Sequence, residues 1–194
     1  MSAETTFHLW GMLPSHLVPP AKQVLAFTCS FLDRETKRFD WDTYISRIQH
    51  YPTPDLVLEK HASDNIASQS TTIKALADDA SKIIKQFAPV SLSIDETARR
   101  IVEVFTSLKD AEEAGVSHYE PDGSGSAVSY RIFLAIPDHL VENQIRLVVI
   151  TIKTQADFAD KSTWSNLQAT SDHRFSAILE MAMLIATPEF VAPN

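Results

Sequence analysis

Cysteine is nearly absent: Cys29 stands alone among 194 residues. Neither an intrachain disulfide nor a cysteine-based zinc site is therefore available. Glycine is almost as scarce, at positions 11, 115, 123 and 125, and no Pro/Gly-rich linker, internal repeat or low-complexity tract divides the chain. The expectation is one domain spanning 1–194, long enough to bury well over half of its unfolded surface. No stretch reaches the roughly 18 consecutive apolar residues of a membrane-spanning helix. Residues 1–10 carry neither a basic n-region nor an apolar h-region, so no signal-peptide pattern is seen and a soluble protein is expected, cytoplasmic in its producer or released by a non-classical route. A cationic surplus is missing too, since 17 Lys and Arg face 25 Asp and Glu, a formal charge of -8. That balance argues against nucleic acid, where Lys and Arg must replace counterions along the phosphates. It also argues against electrostatic docking on anionic lipid, so any contact with a bilayer must be mainly apolar.

What is present is strong periodicity. A first helix is predicted to open at Pro19 and Pro20, where missing amide donors cost nothing, with Ala21, Val24, Leu25, Thr28, Phe31 and Leu32 on one face. The charged run 33–38 ends it as a solvated loop. Asp40 is placed to cap a short second helix carrying Trp41, Tyr44, Ile45 and Ile48, which Pro52 and Pro54 stop before a short strand at 55–59. In the third helix Ile73, Leu76, Ala77, Ala80, Ile84 and Phe87 form an apolar stripe, and Pro89 ends it. A capping box from Ser93 to Glu96 opens the fourth, striped by Ile94, Ala98, Ile101, Val102, Phe105 and Leu108.

After Gly115 the period changes. A strand is expected near 116–119, and Pro121-Asp122-Gly123-Ser124-Gly125 signals a turn. Residues 128–136 and 145–153 read as strands of an antiparallel hairpin. The segment 155–172 is irregular with a helical turn near 157–164, and 174–186 fits helix or strand equally. Ile132, Leu134 and Ile136 point one way from their strand while Phe133 and Ala135 point the other. A sheet apolar on both faces needs cover on both sides. Two amphipathic helical hairpins supply it. The expected fold is α/β, a three-layer α-β-α sandwich in which a mainly antiparallel sheet is flanked by two layers of helical hairpins.

Catalytic chemistry finds little footing. Cys29 lies among Phe27, Thr28 and Phe31 on a helix, the setting of an inert buried thiol. His50 and His61 flank a Pro-rich turn with no ligand at metal spacing, so surface histidines are the better reading and no metal or cofactor is expected. Glu112, Glu113 and His118 suit a solvated helix end better than an acid/base cluster. Gly123-Ser124-Gly125 lacks the Lys-Ser/Thr of a phosphate loop, and neither G-x-S-x-G nor H-E-x-x-H occurs.

Two helical hairpins followed by long apolar strands resemble the Cyt δ-endotoxins and the volvatoxin-like fungal cytolysins. Residues 17–27, Leu-Val-Pro-Pro-Ala-Lys-Gln-Val-Leu-Ala-Phe, look like the first helix of that family. Residues 94–108, closing on Val104-Phe105-Thr106-Ser107-Leu108, resemble its last long helix, and Tyr130-Arg131-Ile132-Phe133-Leu134-Ala135-Ile136 resemble the strand after it. The resemblance implies a non-enzymatic, pore-forming toxin that acts at target cell membranes. It would bind target-membrane lipids, assemble there as a homo-oligomer, and release strands into the bilayer as its helices swing away. Arg131, Arg146 and Glu180 depart from a wholly apolar inserting face.

A membrane strand needs roughly 9–11 residues, and open edges are not tolerated in lipid, so a β-pore requires several chains to close a ring. The candidate inserting residues are Ile132, Leu134, Ile136, Leu147, Val149, Ile150, Phe175 and Leu179. Trp10 and Trp164 are candidate interfacial anchors, since indole favours the headgroup zone. The competing expectations are a non-lytic lipid- or protein-binding module of the same fold and, further back, a small hydrolase.

Overall fold

Pro19 and Pro20 sit in the first turn of helix α1 (Val18–Cys29), as their lack of amide donors favours. The computed structural model of the chain describes residues 7–9, 13–33, 35–36, 38–70, 72–88, 93–106, 117–123, 125–138 and 141–192. A short strand β1 (Phe7–Leu9) precedes α1, and α2 (Trp41–Gln49) follows it. The Asp40 side chain accepts from the Thr43 amide at 3.0 Å, so the expected cap of α2 forms. Next come β2 (Leu56–Ser70), α3 (Ile73–Phe87), α4 (Ile94–Thr106), β3 (Ser117–Asp122), β4 (Gly125–Pro137) and β5 (Ile145–Ala156). The short helix α5 (Lys161–Ser165) and strand β6 (Phe175–Ala186) complete the order. Thr72 caps α3 through the Ala75 amide, and Ser93 accepts from the Glu96 amide at the start of α4. The Glu96 carboxylate turns to Arg99 and Arg100.

The sheet follows the order β1-β4-β5-β6-β2, with β3 also on β4. It is mainly antiparallel, with β1 joined parallel to β4 through Phe7↔Ile132 and Leu9↔Leu134. Antiparallel pairing of β3 with β4 closes at Asp122↔Gly125. Gly123, at φ 60°, supplies the left-handed residue that the tight turn requires. The expected glycine-marked turn is thus a hairpin.

Three expectations change. The strand expected at 55–59 runs to 70, because a polar edge strand shows little of the alternation that marks a half-buried one. Segment 174–186, open between helix and strand, is β6, placed between β5 and β2. The α1 stripe was expected to continue through Phe31 and Leu32, but α1 ends at Cys29, and Leu32 instead bridges Phe39. Pro89, Leu108, Val116 and the pair Glu112-Glu113 lie outside the described residues.

Two compact units divide the chain. The first comprises Met1–His61, Ile132–Ile150 and Met181–Asn194. Its core joins Ala21, Val24 and Leu25 of α1 and Tyr44, Ile45 and Ile48 of α2 to Phe133, Ala135, Leu147, Val149, Ala182 and Leu184 of the strands. The two helices are tied by a buried Thr28–Tyr44 hydroxyl pair at 3.0 Å. The second unit comprises Ala62–Arg131 and Thr151–Glu180. In it α3 packs on α4, while Phe105 of α4 meets Tyr130 of β4 edge-on with ring centroids 5.4 Å apart.

Candidate functional site: the two faces of the apolar strands

Side chains alternate across a strand, so each of β4, β5 and β6 has two faces that can be read separately. In the first unit the face toward α1 and α2 is marked by Phe133 and Ala135, by Ile145, Leu147 and Val149, and by Ala182, Leu184 and Ala186. Followed along the strands, that face becomes polar. It continues through Ser129 and Arg131 on β4, past which Ala127 is buried, through Thr151, Lys153 and Gln155 on β5, and through Ser176, Ile178 and Glu180 on β6. Ile178 is 46% exposed there, and its neighbours Ser176 and Glu180 are half-buried.

The opposite face is apolar over most of its length, interrupted by Ser126, Arg146 and Thr154. On β4 it carries Val128, Tyr130, Ile132, Leu134 and Ile136, on β5 Val148, Ile150 and Ile152, and on β6 Phe175, Ala177, Leu179, Met181 and Met183. All of these are buried. Contacts in the second unit agree with this alternation, since Tyr130 and Phe175 both belong to the aromatic cluster around Phe105 and Trp164.

The eight candidate inserting residues are therefore all buried but do not share a face. Ile132, Leu134, Ile136, Ile150, Phe175 and Leu179 lie on the continuous apolar face, whereas Leu147 and Val149 lie on the mixed one, against α1 and α2. The apolar face also includes Val128, Val148, Ile152, Ala177, Met181 and Met183, which the sequence reading left out. Its signal was present as the odd or even parity of each strand, but nothing local aligns the parity of one strand with that of the next.

Charge follows the same division. Arg131, Lys153 and Glu180 belong to the mixed face. Lys153 bonds Glu120 of β3 at 3.2 Å. On the apolar face the one charged residue among the described strand positions of β4–β6 is Arg146, the second residue of β5. Its guanidinium is held at that end by Asp138 at 3.0 Å and Glu59 at 3.4 Å.

Two polar atoms are left bare on the apolar face. The Tyr130 hydroxyl and Thr154 Oγ1 are buried with no hydrogen-bond partner. Burial drives the Tyr130 phenol well above its ordinary pKa, so it is neutral at any physiological pH. Each such orphan costs about 1–3 kcal/mol.

Of the candidate anchors, Trp10 lies outside the described residues. Trp164 is fully buried, stacked on Phe105 at 5.8 Å and bonded through its indole N–H to Ser126 Oγ at 2.7 Å. In this conformation it is a core residue, because the described protein offers its N–H a partner that an exposed indole would seek in the headgroup zone. Cys29 is half-buried against the α1/α2 core. A His50 ring nitrogen meets the Ser46 carbonyl at 2.8 Å, and His61 stacks on Trp41. His118 stands 3.8 Å from Glu120. Among the described residues no group of three or more His, Cys, Asp or Glu is arranged to hold a metal, and no helix is long and apolar enough to cross a membrane.

These features define a class: a mixed α/β protein whose sheet buries a mainly apolar face on β4, β5 and β6. The fold is shared with the activated Cyt2Ba monomer of Bacillus thuringiensis subsp. israelensis, at a TM-score of 0.78 and 10% identity over 94% of this chain and 98% of that one. A second solved structure, described as a delta-endotoxin, matches at a TM-score of 0.80 and 12% identity over 96% of this chain and 82% of its own. The Cyt-like fold that the sequence resembles is thus the fold the chain adopts. No family model matches the chain, and no curated protein matches it.

Proposed function

We propose that this protein is a pore-forming cytolysin without enzymatic activity, its residues 1–194 acting as one cytolysin domain. It binds target-membrane lipid, assembles with copies of itself and inserts β4, β5 and β6 with their continuous apolar face toward the acyl chains. The observation that carries this reading is the contrast between the faces. One is mainly apolar along three adjacent strands, its single charge, Arg146, near the start of β5, and the other changes from mostly apolar to mostly polar. A membrane barrel needs that asymmetry, apolar outward and polar inward. Strands of 13, 12 and 12 residues meet the length that a tilted membrane strand requires. The fold shared with a delta-endotoxin supports the same reading.

Energetics set the condition for opening. Baring the six candidates on the apolar face to water costs on the order of 10 kcal/mol, so the helices can leave only where another apolar phase receives the strands. Lipid supplies that phase.

The deciding experiment is dye release from protein-free liposomes. Leakage that rises with protein dose supports the pore. Vesicles that bind protein yet remain sealed favour the non-lytic binding module, and vesicles that neither bind nor leak at saturating dose end the proposal.

A further inference from the structure

Strand β2 ends the sheet order: β6 lies on one side, and no described strand pairs with the other. It is 15 residues long, and 57, 59–61, 63–65 and 67 are exposed. Natural edge strands are kept short, or carry proline, a bulge or charges that repel a second edge. This one has no proline and no glycine, and its charges near the centre are of opposite sign, Lys60 and Asp64.

Their placement makes the strand complementary to its own reverse. An antiparallel pair of identical strands that keeps the sheet faces in line matches residues of equal parity. Centred on Ala62, that pairing sets Lys60 against Asp64 twice, Leu58 against Ile66, Val57 against Ala67, and the small Ala62 against itself. Moving the centre to His61 sets Leu58 against Asp64, and moving it to Ser63 sets Lys60 against Ile66. Opposite charges and apolar pairs directly across an antiparallel ladder contribute roughly 0.2–1 kcal/mol each, and mismatches forfeit it. Val57, 45% exposed, also gains an apolar neighbour in the Ala62 register.

We propose that β2 pairs antiparallel with β2 of a second copy of this chain, in the register centred on Ala62. The interface is isologous, so every contact occurs twice about a two-fold axis through Ala62. This deepens the assembly step proposed above and rests on that reading for its setting. Its test needs no membrane, so sealed liposomes would sink the pore and leave the pairing standing.

The test uses the full chain with Cys29→Ser as background. Ala62→Cys in two copies lies directly opposite itself, within reach of a disulfide, whereas Ser63→Cys falls on diagonal neighbours roughly 7–8 Å apart. Mild oxidation in solution is expected to cross-link Ala62→Cys at least about fivefold faster than Ser63→Cys. Charge reversal provides a second reading. Lys60→Asp and Asp64→Lys each turn two attractions into two repulsions and should lower the cross-linking rate of Ala62→Cys about fivefold, while the double variant restores it. Equal rates for the two cysteine positions would overturn the proposal. So would a double variant no faster than the singles, leaving β2 as an edge blunted by its charges. Far-UV circular dichroism confirms folding of each variant.

Discussion

The indole N–H of Trp164 donates to the hydroxyl of Ser126 at 2.7 Å, and that hydroxyl donates in turn to the carbonyl of Phe158. A residue of α5 is thereby fastened to β4, inside the aromatic cluster that holds Phe105 of α4. Truncating Trp164→Ala should cost about 3–5 kcal/mol in urea unfolding. Trp164→Phe, which keeps most of the ring and loses the bond, should cost about 1–2 kcal/mol. Equal losses for the two would show that the hydrogen bond adds nothing.

The division of faces predicts a period of two in the membrane-bound state. With single cysteines placed along β4 in a Cys29→Ser background, a membrane-impermeant thiol reagent should spare positions 132, 134 and 136 and label 129, 131 and 133. Labelling without alternation would contradict insertion as a strand. Arg131 and Glu180, which depart from an apolar inserting face in the sequence, belong to the mixed face and so do not oppose insertion.

Tyr130→Phe removes a hydroxyl that has no partner in the core. The variant is expected to be more stable than the native protein by about 1 kcal/mol, visible as a raised melting temperature. Thr154→Val should act in the same direction. A loss of stability in both would mean that these groups are satisfied in solution.

Acid should loosen the start of α2. The Thr43 amide, and after it the Thr43 side chain, hold the Asp40 carboxyl below its ordinary value. A carboxyl depressed in the folded state stabilises fully above its unfolded pKa, near 3.9, and that contribution fades as pH falls through the folded value. Asp40→Asn keeps an acceptor for the cap but cannot titrate there. Its melting temperature should therefore fall less than that of the native protein across the acid limb. Parallel acid limbs would exclude Asp40 as a contributor.

Some of this molecule was legible in the chain because the signals are local. Asp40 caps α2 and Thr72 caps α3, since a side-chain oxygen needs only the next few amides. Gly123 turns the β3–β4 hairpin, since few other residues accept its φ. The apolar stripes of α3 and α4 follow from a period of 3.6, and 128–136 and 145–153 follow from composition and length.

The rest was decided by tertiary partners. Residues 174–186 are apolar at both periods, and position between β5 and β2 makes them a strand. Residues 60–70 are too polar to read as a strand, yet they belong to β2, which is held in the sheet beside β6. Leu147 and Leu134 are equally apolar as sequence, but burial against α1 and α2 assigns the first to the mixed face, and strand parity assigns the second to the continuous one. Local sequence thus determined which segments bend, turn and cap, because those energies act over a few residues. Only the folded sheet determined which side of each strand belongs to which face, because a face exists only once separate strands stand side by side.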